Sequence, residues 1–356
     1  MPQESNMRIT PNTKTSSKRV FLMLQGPHGP FFWALGRMLR AAGATVWRGG
    51  SNGNSSLMTL SVADMRKALD TIDHDNIEPP AHWGDMRQHI FYGALYHWFV
   101  MFRNSAFRHY RGHRELPVTR EFLLYFKRLI MMPQHYMSRA WHTRRLLAGG
   151  FPFHIALLQL EHDTSFQVHS PYATMPEFIA DVIAGFASGA PQHHHLVFKA
   201  HPLENDRRNL THEVRRIAAE FGVADRVHYV RGGKLQRLLH TARSAVTVNS
   251  TAGQQVLSLG LPLKVFGHAV YDKPEFVSHQ TLEAFFTRPE RPDTRAYRDY
   301  RQFLLETSQI PGGFYSARGR RQLLRLVVDL MLAKEAPDEA LLHGTAHPRQ
   351  PLRIVT

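Results

Sequence analysis

Short apolar runs alternate with amphipathic segments along the second half of the chain, and this alternation is typical of a parallel sheet wrapped by helices. Each apolar run suits a buried strand, and apolar positions at helical spacing follow it. The predicted strands are 154–160, 195–199, 226–230, 245–248 and 263–266. The predicted helices are 176–188, 210–221, 235–242 and 252–259.

The first half of the chain opens in the same manner, with a strand, a glycine turn and an amphipathic helix. The predicted strands there are 20–24 and 44–47, and the predicted helix is 31–42. Residues 85–148 show helical patterns without a clear strand, which indicates a helical insertion, and the pair Gly149-Gly150 then interrupts the chain.

These patterns predict two α/β halves and two irregular ends. The predicted segments are a disordered leader at 1–17, an N-terminal domain at 18–150, a C-terminal domain at 151–333 and an irregular tail at 334–356. Two Rossmann-like domains facing a central cleft are the layout of GT-B nucleotide-sugar transferases. We therefore expect a GT-B-like α/β fold, although a fold alone does not give a function.

Composition narrows the classes of partner. The 356 residues include 44 Lys and Arg against 29 Asp and Glu, a formal net charge of +15 that favours anionic partners. The chain has no cysteine, which excludes disulfides, thiolate metal sites and a cysteine nucleophile. Apolar runs fall short of the ~18 residues that span a bilayer, and the run 20–24 is too short for a signal peptide. We expect a cytoplasmic protein, with peripheral membrane attachment left open.

Two acidic residues follow the first predicted strand of the C-terminal half, in the sequence Gln159-Leu-Glu-His-Asp163. Ligands of parallel α/β sheets bind outside the carboxyl ends of the strands. Glu161 or Asp163 could there attack an anomeric carbon or act as a base. The alternative interpretation is that both acids cap the next helix or solvate a loop.

Two more loops in this half carry polar groups after a strand. Lys199 and His201, in Lys-Ala-His-Pro, could hold a phosphate or stabilise a leaving group, although a surface turn is the alternative. Asn249, Ser250 and Thr251 precede a predicted helix, where small residues and hydroxyl groups suit an anion. A plain helix cap is the alternative there.

Three other features carry weaker signals. The glycines of the turn Gln25-Gly-Pro-His-Gly-Pro would allow a ligand to approach Gln25 and His28 closely, but the turn is neither a dinucleotide fingerprint nor a P-loop. Asp73 and Asp75 form a DxD pattern of the kind used by metal-dependent sugar transferases. The triplet His193–His195 lacks a nearby carboxylate and favours a structural role over a metal site.

A basic, aromatic stretch runs from Phe91 to Arg128. Residues 91–110 contain eight aromatic side chains, and basic residues outnumber acidic ones over 103–128. Such a stretch could stack nucleic-acid bases, lie at an anionic membrane surface, or form an amphipathic helix pair with solvated arginines. No recognised nucleic-acid motif accompanies it, so we expect no nucleic-acid partner.

Five motifs occur in an order that resembles the capsule polysaccharide biosynthesis/export family, in its KpsS/LipB-type branch. The similarity covers about residues 18–320. The motifs are Gln25–Trp33, Gln159–Asp163, Lys199–Pro202, Asn249–Gly253 and Gly267–Asp272.

The resemblance implies a GT-B fold and a retaining β-Kdo glycosyltransferase. Such an enzyme takes Kdo from CMP-Kdo and starts the capsule linker on a phosphatidylglycerol-type lipid at the cytoplasmic face of the inner membrane. The N-terminal domain would then serve the acceptor and the C-terminal domain the nucleotide sugar. No cofactor and no divalent metal are implied, and other capsule assembly and export proteins are expected partners.

The resemblance also assigns roles to residues. The family's QxxxD/E element maps onto Gln159 and Asp163, its HP element onto His201 and Pro202, and its Asn-Ser-Thr element onto 249–251. Glu161 lies inside the first element, so the choice of catalytic carboxylate stays open. The predicted catalytic residues are Asp163, Glu161 and His201. The predicted substrate-binding residues are Gln159, Lys199, Asn249, Ser250, Thr251, Gln25 and His28.

Two alternatives to this function stay open within the resemblance. One is a transferase for another CMP-sugar, such as sialic acid. The other is a non-catalytic capsule assembly or export partner that keeps the fold as a scaffold, against which the presence of Asp163, His201 and Asn249 speaks.

Overall fold

The structure is a computed structural model, and it describes only part of the chain. The described residues are 19–23, 35, 37–39, 41–42, 45–49, 60–71, 86–102, 120, 122–123, 126, 141, 143–161, 163–202, 204, 209–310, 312–313, 316–332 and 337–345. The predicted leader, the whole glycine turn Gln25–Pro30 and most of residues 103–128 lie outside these residues.

The described part of the chain forms strands and helices in alternation. The strands are β1 Arg19–Met23, β2 Thr45–Gly49, β3 Phe153–Leu157, β4 His195–Lys199, β5 Val227–Val230, β6 Ala242–Thr247 and β7 Leu263–Val265. The helices are α1 Val62–Leu69, α2 Met86–Phe102, α3 Thr164–His169, α4 Met175–Gly189, α5 Leu210–Glu220, α6 Leu235–Leu239, α7 Gly253–Ser258, α8 Leu282–Thr287, α9 Thr294–Thr307, α10 Ala317–Leu332 and α11 Pro337–Leu342.

The chain divides into two compact units, each discontinuous in sequence. One unit comprises Met1–Gly53, Lys67–Phe122 and Gln302–Thr356, and the other comprises Asn54–Arg66 and Leu123–Arg301. The sequence instead predicted continuous domains that meet at residue 150. The C-terminal segment joins the N-terminal one because three side chains of α10 pack against Leu35 and Leu39; they are Leu323, Leu324 and Val328.

Each unit contains a parallel sheet, which confirms the predicted α/β class. In the first unit, β1 pairs with β2 in parallel, with Arg19 opposite Thr45 and Met23 opposite Gly49. The second unit has a five-stranded sheet in the order β5-β4-β3-β6-β7, and its neighbouring strands also pair in parallel. The carboxyl ends of these five strands therefore lie at one edge of the sheet.

The five-stranded sheet is buried by helices. Every residue of the central strand β3 is buried, as expected for a strand that helices cover on both faces. Helix α4 contributes Phe178, Val182 and Phe186 to the core, and α8 contributes Phe285 and Phe286. Each such side chain contributes roughly 1.5–3 kcal/mol through the apolar area that it removes from water.

Most of the predicted elements of the sheet unit are confirmed, with one clear error. Residues 235–242 were predicted as a helix, but α6 ends at Leu239 and β6 begins at Ala242. Leu238 and Leu239 are buried, and Ala242 then pairs with Phe153, so the strand takes the residues that helical periodicity alone would have continued. Helix α11 also lies in the stretch that was predicted to be irregular.

None of the helices among the described residues has the length and apolarity that a bilayer crossing requires.

Candidate functional site

The loops predicted to carry chemistry follow β3, β4 and β6, at the carboxyl edge of the five-stranded sheet. Because β3 lies between β4 and β6, these three loops are neighbours in the sheet order. This is the edge where ligands bind in parallel α/β sheets.

The loops after β3 and β6 are joined by a reciprocal pair of amides. Gln159 Nε2 donates to Asn249 Oδ1 at 2.7 Å, and the backbone N–H of Asn249 donates to Gln159 Oε1 at 2.9 Å. Both residues are buried, with exposed fractions of 6 % and 4 %. The bonds therefore lie where competition from water is weak and a missing partner would be costly.

Asn249 makes a second connection to the same loop. Its Nδ2 donates to the carbonyl of Ser165 at 2.8 Å, and Ser165 Oγ donates to Asn249 Oδ1 at 3.3 Å. Gln159 and Ser165 lie on either side of both predicted catalytic acids in the sequence. The acid segment, which we define as residues 160–164, is thus attached to Asn249 at both of its flanks.

The two acids differ in exposure. Asp163 is exposed at the position just before α3, and no described backbone N–H of the first helical turn donates to its carboxylate. Its backbone is held nonetheless, because its carbonyl accepts from the N–H of Phe166 at 2.9 Å. Glu161 is half-buried. Asp163 therefore presents a carboxylate on a fixed backbone.

The loop after β6 uses its own backbone donors internally. The N–H of Gly253 donates to the carbonyl of Ser250 at 2.9 Å, and that of Gln254 donates to the carbonyl of Thr251 at 3.1 Å. Ser250 Oγ accepts from the N–H of Ala252 at 3.3 Å. The N–H groups of residues 252–254 are therefore already engaged, and the hydroxyls of Ser250 and Thr251 are the side-chain donors that this loop offers to an anion.

Tyr271, which sequence reasoning did not single out, stabilises the loop after β6. It is buried, and its hydroxyl donates to the carbonyl of Ser250. A Cβ at Gly253 would lie 2.4 Å from the Tyr271 hydroxyl oxygen, so a larger residue there would have to displace the Tyr271 side chain. Tyr297 donates to the carbonyl of Gln254 at 2.9 Å and holds the next turn in the same way.

The loop after β7 packs against Asn249 and the carbonyl of His169. A Cβ at Gly267 would lie 2.4 Å from the carbonyl oxygen of His169 and 3.2 Å from Asn249 Nδ2. The N–H of His268 donates to that His169 carbonyl at 2.9 Å. Asp272, further along this loop, is a third carboxyl group whose pKa is raised by burial.

The polar residues at the end of β4 and just after it are less exposed than the sequence implied. Lys199 is buried, and its Nζ donates to the carbonyl of Ala200 at 3.1 Å. His201 is half-buried, and its carbonyl accepts from the N–H of Glu204 at 3.0 Å. The chain thus makes a turn that begins at His201, two residues after the buried Lys199.

The remaining candidates lie elsewhere. Gln25, His28, Asp73 and Asp75 are outside the described residues. The triplet His193–His195 lies at the start of β4, at the opposite edge of the sheet from the acid segment. Across the described ranges, no group of three or more histidine, aspartate and glutamate side chains is arranged to hold a metal ion.

Comparison with known proteins places the chain among capsule proteins. The model of the family described as capsule polysaccharide biosynthesis protein matches residues 73–315, more than half of the chain. The capsule polysaccharide export protein KpsS of Escherichia coli is 32 % identical over 163 residues, which are 46 % of this chain and 42 % of that protein. The capsule polysaccharide modification protein LipB of Neisseria meningitidis serogroup B is 30 % identical over 233 residues, 63 % of this chain and 54 % of that protein.

The chain thus spans about half the length of the curated relatives that it matches. Among solved structures, the KpsC β-Kdo 2,7 transferase of Thermosulfurimonas dismutans aligns at 16 % identity over 50 % of this chain and 54 % of that one, with a TM-score of 0.32.

Proposed function

The chain belongs to the capsule polysaccharide biosynthesis protein family, and we propose that it is a retaining glycosyltransferase that moves Kdo from CMP-Kdo to a phosphatidylglycerol-type lipid. The family expected from the order of the motifs is confirmed. The donor, the acceptor and the stereochemistry are the proposal. The observation that supports it most is the acid segment, attached at both flanks to the loop that bears Ser250 and Thr251.

The chemistry of the donor suits the groups at this edge of the sheet. CMP-Kdo carries a phosphate and a sugar carboxylate, and both are anionic. The hydroxyls of Ser250 and Thr251 would donate to the phosphate, while Lys199 and His201 would supply positive charge as CMP leaves. The net charge of +15 favours the approach of such a donor and of an anionic lipid.

Retention follows from two displacements at the anomeric carbon. In the first, the Asp163 carboxylate attacks this carbon, and the bond to the CMP phosphate oxygen breaks with its electron pair leaving on CMP. In the second, a hydroxyl of the lipid attacks the same carbon, the bond to Asp163 breaks, and the hydroxyl proton passes to a base. Glu161, in the same acid segment, is our candidate for that base.

The wider setting is part of the same proposal. Two Rossmann-like domains would face a cleft in the GT-B manner, with the acceptor served by the N-terminal one. The protein would attach peripherally to the cytoplasmic face of the inner membrane and work with other capsule assembly and export proteins. Exposed aromatic side chains near the end of α2 support this attachment; they are Trp98, Phe99 and Phe102.

Donor choice tests the proposal directly. Purified protein is incubated with a short-chain phosphatidylglycerol and either CMP-Kdo or CMP-sialic acid, and released CMP is measured. We expect CMP-Kdo to react at least about tenfold faster, with a rate that a metal chelator leaves unchanged. A faster reaction with CMP-sialic acid would make sialic acid the transferred sugar. Loss of activity with the chelator would overturn the proposed metal independence. If neither sugar nucleotide releases CMP, a non-catalytic scaffold is favoured.

A further inference from the structure

We propose that Gln159, Asn249 and Ser165 are positioning residues, which fix the acid segment relative to the Ser250–Thr251 loop and do not themselves bind the donor. The sequence predicted Gln159 and Asn249 as substrate-binding residues, so this proposal changes their role. Its consequence for catalysis depends on the proposed function, whereas the connection between the two loops does not.

The first support is that the polar atoms of both amides already have protein partners. Gln159 uses Nε2 as a donor and Oε1 as an acceptor, both toward Asn249. Asn249 Oδ1 accepts from Gln159 and Ser165, and its Nδ2 donates to the Ser165 carbonyl. To bind to these amides, CMP-Kdo would first have to break the hydrogen bonds between the buried side chains of Gln159 and Asn249.

The second support is the placement of these bonds along the chain. Gln159 lies two residues before Glu161, and Ser165 lies two residues after Asp163. Both bond to Asn249, and Asn249 directly precedes Ser250 and Thr251. One side chain therefore connects the segment that would carry the nucleophile to the loop that would carry the leaving group.

Displacement chemistry gives this connection a kinetic meaning. A nucleophile has to lie about 3–3.5 Å from the carbon that it attacks, and a misplacement of about 1 Å can cost roughly a hundredfold in rate. CMP held by the Ser250–Thr251 loop would still bind if the acid segment moved away. Breaking the connection should therefore lower kcat much more than it weakens the binding of CMP.

The test compares Gln159→Met, which keeps the length of the side chain without its hydrogen bonds, with Ser250→Ala as the matched control in the donor loop. Calorimetry gives the Kd for CMP, and steady-state assays with CMP-Kdo give kcat. For Gln159→Met we expect a Kd within about twofold of the parent and a kcat lower by at least about tenfold. For Ser250→Ala we expect a Kd raised by about tenfold. If Gln159→Met raises the Kd as much as Ser250→Ala and keeps its kcat, Gln159 binds the donor and the proposal is wrong.

A second readout is independent of activity. Hydrogen exchange of the ligand-free protein is followed by mass spectrometry in peptides covering 158–165 and 248–254. Gln159→Met should raise exchange in both peptides together by about tenfold or more, and Ser250→Ala should leave 158–165 unchanged. Unchanged exchange in Gln159→Met contradicts the proposal. Raised exchange in a protein whose parent releases no CMP retains the connection and rejects the proposed function.

If Gln159→Met does not fold, Gln159→Glu replaces it in both measurements. This variant keeps the acceptor for the Asn249 N–H but loses the donor to Asn249 Oδ1. For Gln159→Glu we expect the same results as for Gln159→Met: an unchanged affinity for CMP, a lower kcat and faster exchange in both peptides. A lowered CMP affinity with unchanged exchange would overturn the proposal.

Discussion

Asp163 combines an exposed carboxylate with a backbone held by hydrogen bonds at the start of α3. Because the carboxylate makes no cap bond to the described helix, its removal should change the free energy of unfolding by less than about 0.5 kcal/mol. If it is the nucleophile, Asp163→Asn should lower the rate of transfer by at least about a thousandfold. Transfer assays, CMP calorimetry and urea unfolding measure these effects, and CMP affinity should stay within about twofold.

Glu161→Gln is the matched control for that substitution. It neutralises the half-buried acid of the same segment, and we expect it to lower transfer less than Asp163→Asn does. Full turnover by Asp163→Asn together with an inactive Glu161→Gln would reverse the two roles.

Sequence reasoning found the residues of this site but not their contacts. Gln159 stood out because it begins the motif Gln159–Asp163 at the end of the predicted strand 154–160, and Asn249 because it follows the predicted strand 245–248; both are local signals. Their bond joins positions 90 apart in the chain, and the Ser165 contact joins positions 84 apart. No local pattern records such pairing, so Ser165 was missed. Tyr271 lies inside the motif Gly267–Asp272, yet only the structure shows that its hydroxyl donates to the carbonyl of Ser250.

At the level of elements, the start of α7 depends on a glycine that packs against Tyr271. Gly253→Ala would force a Cβ to within 2.4 Å of the Tyr271 hydroxyl oxygen. We expect a loss of about 1–3 kcal/mol in the free energy of unfolding, measured by urea denaturation.

Gly93→Ala in α2 is the control, because a Cβ there meets nothing within 4 Å. Alanine in an unobstructed helix interior should be neutral or stabilise by up to about 1 kcal/mol. An unchanged stability of Gly253→Ala would show that the Tyr271 contact is not tight.

Two pairs of histidines lie at the opposite edge of the sheet, one pair buried (His154 and His194) and one half-buried (His195 and His228). His154 Nδ1 lies 2.7 Å from Ser244 Oγ, and its Nε2 lies 3.0 Å from His194 Nδ1. Burial, with smaller contributions from the charges of His194 and Arg243, lowers the pKa of His154 to about 3. Burial likewise lowers the pKa of His228, which lies 2.9 Å from His195, to about 4.

These shifts predict that acid weakens the fold. The folded state keeps both imidazoles neutral, whereas the unfolded state takes up protons below about pH 6.5, so stability falls as the pH drops from 6.5 toward 4. Between pH 7 and pH 5, His154 alone accounts for about 2 kcal/mol. Urea unfolding at the two pH values measures this change, and His228→Gln should reduce it. Equal stability at both values would contradict the assignment.

The strands of the sheet could be predicted because their apolar runs are continuous and bounded by turns. Short helices could not. Helix α3 has six residues with a single buried aromatic, Phe166, which gives no periodicity to detect. The end of α6 was misplaced because Leu235, Leu238 and Leu239 are followed by Ala242 at helical spacing, although the chain has by then changed from helix to strand.

At the scale of the whole molecule, the grouping of the C-terminal segment with the N-terminal one was beyond sequence reasoning. Leu323 and Leu39 belong to one buried cluster although they lie 284 positions apart in the chain. Apolar spacing shows that a helix has a buried face, but it does not say which partner covers that face.

Membrane attachment is also a prediction at this scale. Trp98→Ser combined with Phe102→Ser should weaken co-sedimentation with phosphatidylglycerol vesicles, because both side chains are exposed near the end of α2. Charge reversal of three arginines outside the described residues should weaken it further, since each cation near anionic lipid contributes on the order of 1 kcal/mol. These are Arg108, Arg111 and Arg114.

The exposed Phe221, just beyond α5, provides the control for these variants. Phe221→Ser should sediment like the parent, and high salt should release the parent from the vesicles. If the charge-reversed protein sediments as well as the parent, the stretch Phe91–Arg128 is not the membrane contact.

The most direct test of the central claim is mass spectrometry of the lipid after reaction. The purified protein is incubated with CMP-Kdo and a phosphatidylglycerol analogue, and the products are compared with those of Asp163→Asn. We predict one new lipid species heavier by a Kdo residue, formed together with free CMP and absent with the variant. An unmodified lipid in the presence of intact CMP-Kdo would contradict the account.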